Sequence, residues 1–125
     1  MTSRHPVLIL DDEPRIRETL SDYISDIGFS AECFSDAESA LCAVRERLFS
    51  LAIVDVRLPG LDGHAFLQQA LLAQPDLRSI IHTGTVEYMP QELEPNIQAS
   101  IVAVLIKPVT DMQVFANVLQ RLLEP

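Results

Sequence analysis

Five polar residues that could carry chemistry follow apolar runs at intervals along the chain. In chain order they are Asp11, Asp12, Asp55, Thr83 and Lys107. The apolar runs that precede them are typical of buried strands. Because the carboxyl ends of parallel strands meet at one edge of a sheet, we expect these side chains to gather there. Three carboxylates, a hydroxyl group and an ammonium group would then share one site.

Such a group of carboxylates needs positive charge, because like charges in a partly desolvated site repel one another. Lys107 is the only lysine in the chain, and one cation cannot balance three anions. A hard divalent ion such as Mg²⁺, bound by carboxylates and waters, would balance them and would suit a phosphate-handling site. A plain structural interpretation stays open for each residue. The acids could simply start a helix or end a strand, and Lys107 could simply make a salt bridge.

The elements that must position these residues alternate between strand and helix. Strands are predicted at residues 7–10, 30–34, 51–54, 79–82 and 101–106, with amphipathic helices between them. Five strands separated by helices predict one α/β domain, with a parallel sheet covered on both faces.

Local signals mark where several of the helices begin and end. Pro14 suits a first helical position, and Gly28 suits the end of the same helix. Ser35 and Glu38 form a capping box that opens a helix whose apolar face extends to Leu48. A second capping box, at residues 110–113, opens the last helix.

Composition excludes several classes of function. The net charge is −9, with nine Lys and Arg residues against 18 Asp and Glu residues. Nucleic acids and anionic membrane surfaces are therefore disfavoured as partners of this chain. The first apolar run, Val7–Leu10, is too short for a secretory signal, and no stretch is long enough to span a membrane, so we expect a soluble, cytoplasmic protein. Cys33 and Cys42 show no metal-binding spacing and are expected to be buried.

Four short motifs together resemble the response-regulator receiver domain of two-component signalling. They are Leu-Asp-Asp-Glu-Pro at residues 10–14, the segment from Val to Gly at residues 54–63, His-Thr-Gly at residues 82–84, and Lys-Pro at residues 107–108. The resemblance covers the whole chain, residues 1–125. It implies a flavodoxin-like (βα)₅ domain with strand order 2-1-3-4-5.

The resemblance also implies a metal site. Asp12, Asp55 and the backbone carbonyl of Arg57 would bind Mg²⁺ or Mn²⁺ directly, and Asp11 would bind it through a water molecule. Asp55 would be the phosphoacceptor and would form an acyl phosphate. Hydrolysis of that acyl phosphate would be slow and would be the only catalysis, so the chain is expected to be a switch rather than an enzyme.

The same resemblance implies how a phosphoryl group would be held and used. Lys107, aimed by a cis bond to Pro108, would pair with one phosphoryl oxygen, and the Thr83 hydroxyl would donate to another. Arg57 and Thr85 would flank the group. The donor would be a sensor histidine kinase or a histidine phosphotransfer protein. The surface of helix four, strand five and helix five would then regulate a partner protein or a fused output domain, and this surface could also form a homodimer.

Three departures from the family pattern lie in the second half of the chain. Val104 stands where family members usually carry an aromatic switch residue, and Tyr88 is a candidate to replace it. Residues 98–100 replace the usual Gly-Ala turn. Pro90 and Pro95 fall where helix four is expected, and a proline inside a helix costs about 3 kcal/mol. We therefore expect helix four to be short, broken or shifted.

Two other functions compete with the phosphorylation switch. A degenerate receiver could act as an interaction module without phosphorylation, and the altered helix-four region favours it slightly. A phosphohydrolase with an aspartate nucleophile is the other alternative. Such an enzyme usually carries a second aspartate two residues after the nucleophile, where this chain has Arg57.

Overall fold

Strands and helices alternate along the chain as the sequence predicts. The computed structural model describes residues 5–57, 62–84, 94–107 and 112–123, the last range with side chains to residue 121. The elements are β1 (Val7–Leu10), α1 (Pro14–Asp26), β2 (Ala31–Phe34), α2 (Ala37–Glu46), β3 (Leu51–Val54), α3 (Gly63–Ala73), β4 (Arg78–Thr83), α4 (Pro95–Ser100), β5 (Ile101–Ile106) and α5 (Gln113–Leu123).

The five strands form one parallel sheet in the order β2-β1-β3-β4-β5, which confirms the predicted fold class. β1 and β3 are neighbours, and Leu10 is in register with Val54. The next residue of each strand carries a carboxylate, so Asp11 and Asp55 are brought to the same edge. The Asp55 amide also donates to the Leu10 carbonyl at 2.9 Å, which continues the pairing beyond the strand ends.

The sheet is covered by apolar side chains on both faces. α2, α3 and α4 supply one layer and α1 and α5 supply the other. Phe66 is the largest fully buried side chain of the first layer, and Phe115 is the largest of the second. Because both faces are buried, β1 and β3 are apolar at every position rather than at alternate positions.

Three helix boundaries follow from local chemistry. α1 begins at Pro14 and ends before Gly28, whose φ of +95° is in the left-handed region that favours glycine. The Asp62 carboxylate caps α3 by accepting from the Ala65 amide at 2.9 Å. α2 is capped by Asp36 rather than by Ser35, so the predicted capping box of Ser35 and Glu38 is wrong. The hydrogen bond from the Ser39 amide holds the pKa of Asp36 below its usual value.

Two burial predictions are also wrong. Leu48 lies beyond the end of α2 and is 56% exposed, so it does not extend the apolar face of that helix. Cys33 and Cys42 are both exposed and free. Cys33 lies on β2, which is an edge strand with less cover, and Cys42 lies on the outer side of α2.

Helix four is atypical, as predicted. α4 has six residues and begins at Pro95, where a missing N–H does not cost a helical hydrogen bond. It continues to Ser100 and leads directly into β5, so residues 98–100, which replace the usual Gly-Ala turn, are helical. The predictions for Tyr88 and Pro90 fall outside the described residues. None of the helices in the described ranges has the length and apolar character needed to cross a membrane.

Candidate functional site

The Lys107 ammonium group lies among three carboxylates at the carboxyl edge of the sheet. Its Nζ atom is 2.8 Å from Asp11 Oδ2, 3.2 Å from Asp55 Oδ2 and 3.3 Å from Glu13 Oε1. Asp11 and Asp55 are only 2% and 4% exposed, whereas Glu13 is open to solvent. Two buried anions and one exposed anion therefore share a single cation.

Backbone groups fix the buried members of this cluster. Asp11 Oδ1 accepts from the Glu13 amide at 2.9 Å, and Asp55 Oδ1 accepts from the Arg57 amide at 3.0 Å. The Lys107 amide donates to the Thr83 carbonyl at 2.7 Å. Each carboxylate thus uses one oxygen to fix its own orientation and presents the other to Lys107. The arrangement depends on the ends of β1, β3, β4 and β5 lying side by side.

Close packing of backbone against backbone also shapes the loop after β3. A Cβ atom added at Gly63 would lie 2.5 Å from the Asp55 carbonyl oxygen and 2.7 Å from Val56 Cα. The Gly63 amide donates to the Val56 carbonyl at 3.2 Å. The first residue of α3 must therefore be a glycine for this helix to approach the Asp55 backbone so closely.

Burial and the neighbouring charges shift the pKa values of Asp55 and Lys107. Burial raises the pKa of Asp55, and the nearby Asp11 carboxylate acts in the same direction. The Arg57 amide and Lys107 counteract this effect only in part. Burial acts to lower the pKa of Lys107, but the ion pairs with Asp11 and Asp55 outweigh it and raise that pKa above its usual value. The ammonium group therefore stays charged throughout the physiological range.

The donor set fits a hard divalent cation. Asp11, Asp12, Glu13 and Asp55 each offer a carboxylate oxygen, and these oxygens lie within 4.8 Å of one another. Mg²⁺ prefers oxygen ligands and usually keeps several waters. The exposed Asp12 and Glu13 leave one side of the cluster open to water. These four carboxylates could hold Mg²⁺.

The structure brings together most of the predicted site residues. The Asp11, Asp12, Asp55 and Lys107 side chains lie in one cluster. Thr83 is fully buried at the end of β4, and its carbonyl accepts a hydrogen bond from the amide of Lys107. Arg57 contributes its amide to Asp55, as described above. The predictions for Pro108, Thr85 and the segment 58–61 fall outside the described residues.

Sequence reasoning missed Glu13. The residue follows Asp11 and Asp12 directly, so the run of three acids after β1 was the available signal. Arg17 was missed as well, and its Nη1 atom donates to the Asp11 carbonyl at 2.8 Å. Arg17 lies one turn into α1, and its contact fixes the backbone of Asp11. No sequence motif indicates this contact.

His82 is a packed strand residue, as its sequence context indicates. The ring is 4% exposed and lies edge-to-face with Phe115, with a centroid distance of 5.3 Å. Burial, together with the positive charge of Lys107, lowers the pKa of His82 to about 4. The imidazole is therefore neutral at pH 7.

A family model described as the response regulator receiver domain matches residues 7–119 of the chain. The C4-dicarboxylate transport transcriptional regulatory protein DctD of Rhizobium meliloti is 31% identical over 84 residues, which is 67% of this chain and 18% of that protein. The transcriptional regulatory protein FixJ of Bradyrhizobium diazoefficiens is 32% identical over 84 residues, again 67% of this chain and 41% of that protein. The chain thus spans less than half of the length of these curated relatives.

Solved structures share the fold over nearly the whole chain. A CheY-like response regulator receiver domain protein from Methanospirillum hungatei superimposes with a TM-score of 0.84 at 24% identity. The alignment covers 96% of this chain and 94% of that one.

Proposed function

Because this chain belongs to the response regulator receiver family, we propose that it is a phosphoacceptor switch in which Asp55 receives a phosphoryl group in a Mg²⁺-dependent reaction. One observation carries the proposal. Asp55 is a buried carboxylate that lies 3.2 Å from the Lys107 ammonium within a cluster of four acids. A buried acid next to further acids is unfavourable for the fold alone, and it is suited to a site that binds a cation and a phosphoryl group.

The donor is a phosphohistidine on a sensor histidine kinase or a histidine phosphotransfer protein. An Asp55 carboxylate oxygen attacks phosphorus, an O–P bond forms, and the P–N bond to the imidazole breaks. The imidazole leaves with that electron pair and takes up a proton. The Arg57 amide, which donates to Asp55 Oδ1, orients the carboxylate for the attack.

Asp12, Asp55 and the Arg57 carbonyl are the proposed direct ligands of Mg²⁺, with Asp11 bound through water. When bound, this ion neutralises phosphoryl oxygens that the acidic site would otherwise repel. Lys107 already lies beside Asp55 and can pair with a phosphoryl oxygen after transfer. The Thr83 hydroxyl is the proposed donor to a second oxygen.

The new charge at Asp55 is the signal. Phosphorylation adds almost two negative charges and three acceptor oxygens, which draws cationic and hydroxyl groups toward the site. Thr83 lies on β4, whose neighbour β5 is partly exposed, so a movement there changes the surface of α4, β5 and α5. We propose that this surface regulates a partner protein or a fused output domain, in the cytoplasm.

The whole chain, residues 1–125, is proposed to form one receiver domain that acts as a switch rather than as an enzyme. Slow hydrolysis of its own acyl phosphate resets it. Homodimers formed through the surface of α4, β5 and α5 are part of the proposal.

A phosphorylation-independent interaction module is the second candidate. The six-residue α4 favours it, because this helix differs from the usual output element, whereas the complete acidic site argues against it. In that case the surface would bind its partner whether or not Asp55 carried a phosphoryl group.

Intact-mass measurement after incubation with acetyl phosphate and Mg²⁺ separates the two candidates. The switch predicts one added phosphoryl group in the wild type and in Asp26→Asn, which removes an exposed aspartate at the end of α1. It predicts none in Asp55→Asn and none without Mg²⁺. Failure to gain mass with acetyl phosphate or with a phosphorylated histidine donor would favour the interaction module.

A further inference from the structure

Glu13 occupies a helix-capping position without capping the helix. It is the N-cap residue of α1, yet its side chain makes no cap hydrogen bond. The Glu13 carboxylate instead lies 3.3 Å from Lys107 Nζ. Ser, Thr, Asp and Asn side chains at N-cap positions ordinarily stabilise the first turn of their own helix. The longer Glu13 side chain instead contacts Lys107 across the site.

The Lys107 ammonium group has no N–H group left to donate to a further partner. An ammonium group has three donors, and the three carboxylates of Asp11, Glu13 and Asp55 surround it. A phosphoryl oxygen can therefore bind Lys107 closely only if one of these partners moves away.

Glu13 is the partner that can leave at the lowest cost. Its side chain is 60% exposed, against 3% for Asp11 and 6% for Asp55. It also has the longest contact, 3.3 Å against 2.8 Å for Asp11. A released Glu13 carboxylate returns to water, whereas a released Asp11 carboxylate would stay buried without its cation.

We propose that Glu13 is a positioning residue that holds the Lys107 ammonium in the resting site and is displaced when a phosphoryl oxygen binds it. This inference rests on the proposed function of Asp55 and Lys107. Glu13 competes with the phosphoryl group for Lys107, so it lowers the affinity of the site for that group. Its contribution is small because the contact is exposed to solvent.

Glu13→Gln tests the inference by removing the charge while keeping the size of the side chain. The probe is beryllofluoride, a phosphoryl analogue that binds carboxylates, titrated by ¹⁹F NMR at a Mg²⁺ concentration shown to saturate each variant. We expect Glu13→Gln to bind it about threefold to fivefold more tightly than the wild type does. Glu18→Gln makes the same charge change at an exposed site on α1 and should change the affinity by less. Glu13→Asp, which keeps the charge, should bind more nearly as the wild type does.

A double-mutant cycle shows whether Glu13 acts through Lys107. In a Lys107→Met background, Glu13→Gln should have no more effect than Glu18→Gln. An undiminished effect in that background would overturn the inference, because it would mean that Glu13 repels the phosphoryl group directly. Weaker binding by Glu13→Gln would also overturn it, and would instead make Glu13 a ligand of the metal.

Failure of the proposed function would look different. In that case the wild type would bind beryllofluoride no better than Asp55→Asn, and the inference would fall with it. Equal binding by the wild type and Glu13→Gln, with Asp55→Asn inactive, would refute the role of Glu13 alone. Thermal unfolding of each variant without ligand identifies any that fails to fold.

Discussion

The inner strands β1 and β3 differ from the edge strand β5 in how firmly they are held. No residue of β1 or β3 is more than 1% exposed. Every residue of β5 is at least partly exposed, and Ile106 at its end is 38% exposed. β1 and β3 lie in the middle of the sheet, whereas β5 is an edge strand next to the short α4. Asp11 and Asp55 thus follow well-packed strands, and Lys107 follows a loosely covered strand.

Buried polar groups show the same contrast. Asp11 and Asp55 each accept one backbone hydrogen bond and pair with Lys107. The two ring nitrogens of His82, on β4, have no hydrogen-bond partner within the described part of the chain. The comparison indicates that β1 and β3 keep the acceptor carboxylate in place, while the partly exposed β5 has more freedom to change its arrangement.

Truncation of matched isoleucines gives the largest expected difference between β3 and β5. Ile53 in β3 is 1% exposed, so Ile53→Ala should destabilise the protein by about 2–5 kcal/mol. Ile106 in β5 is far more exposed, and Ile106→Ala should cost less than about 1 kcal/mol. Urea unfolding of both variants measures the difference. Equal losses would show that β5 is packed as firmly as β3.

His82, on β4, makes the free energy of unfolding of the protein depend on pH. Its pKa is about 4 in the folded protein and about 6.5 in the unfolded chain. Between these values the unfolded chain binds a proton that the folded protein does not, so stability falls as the pH is lowered. The loss amounts to roughly 3 kcal/mol when the pH falls below 4. In His82→Met the urea midpoint should fall less between pH 7 and pH 4.5, and an equal fall in both proteins would refute the assignment.

The glycines that follow β3 and β4 provide a second matched pair. Gly63→Ala places a Cβ atom against the Asp55 and Val56 backbone, and such overpacking costs about 1–3 kcal/mol. It should also slow phosphorylation, since the Asp55 backbone must shift. Gly84→Ala meets nothing within 4 Å and should leave the melting temperature nearly unchanged. If both variants melted like the wild type, the close approach of α3 to β3 would not be a constraint.

Asp55→Asn should separate function from stability. Because burial raises the pKa of Asp55, keeping this group ionised destabilises the fold at pH 7. The wild type regains that stability when the pH falls through the raised pKa toward the ordinary value, as the folded protein binds the proton first. Asp55→Asn should therefore be more stable than the wild type at pH 7.

The advantage of Asp55→Asn should shrink at acidic pH. Asp76→Asn, at an exposed position before β4, should show neither effect. A variant that is less stable than the wild type at pH 7 would show that the contacts of Asp55 with Lys107 and Arg57 outweigh the cost of burial.

The parallel sheet and the site edge were predictable from the sequence because they depend on patterns that burial imposes, whereas the strand order was implied by the resemblance to the receiver family. The apolar runs of β1 and β3 mark buried strands, and the acids that follow them mark the edge where ligands bind. Pro95 indicated that helix four is altered, because a proline ring is compatible with a first helical turn and not with a helix interior.

Details that depend on tertiary contacts were not predictable. Whether α2 reaches Leu48 depends on where the chain turns toward β3, and the helical spacing of apolar residues does not record this. The exposure of Cys33 follows from the edge position of β2. The pairing of Glu13 with Lys107 joins residues that are 94 positions apart in the sequence, so only the folded chain reveals it.

Reductive trapping tests the central claim most directly, because borohydride converts an aspartyl phosphate to homoserine at the residue that carried it. The protein would be incubated with acetyl phosphate and Mg²⁺, reduced, digested and mapped by mass spectrometry. We predict homoserine at position 55 and aspartate at positions 11 and 12. Homoserine at position 11 or 12, or at no position in a protein that has gained a phosphoryl group, would contradict the account.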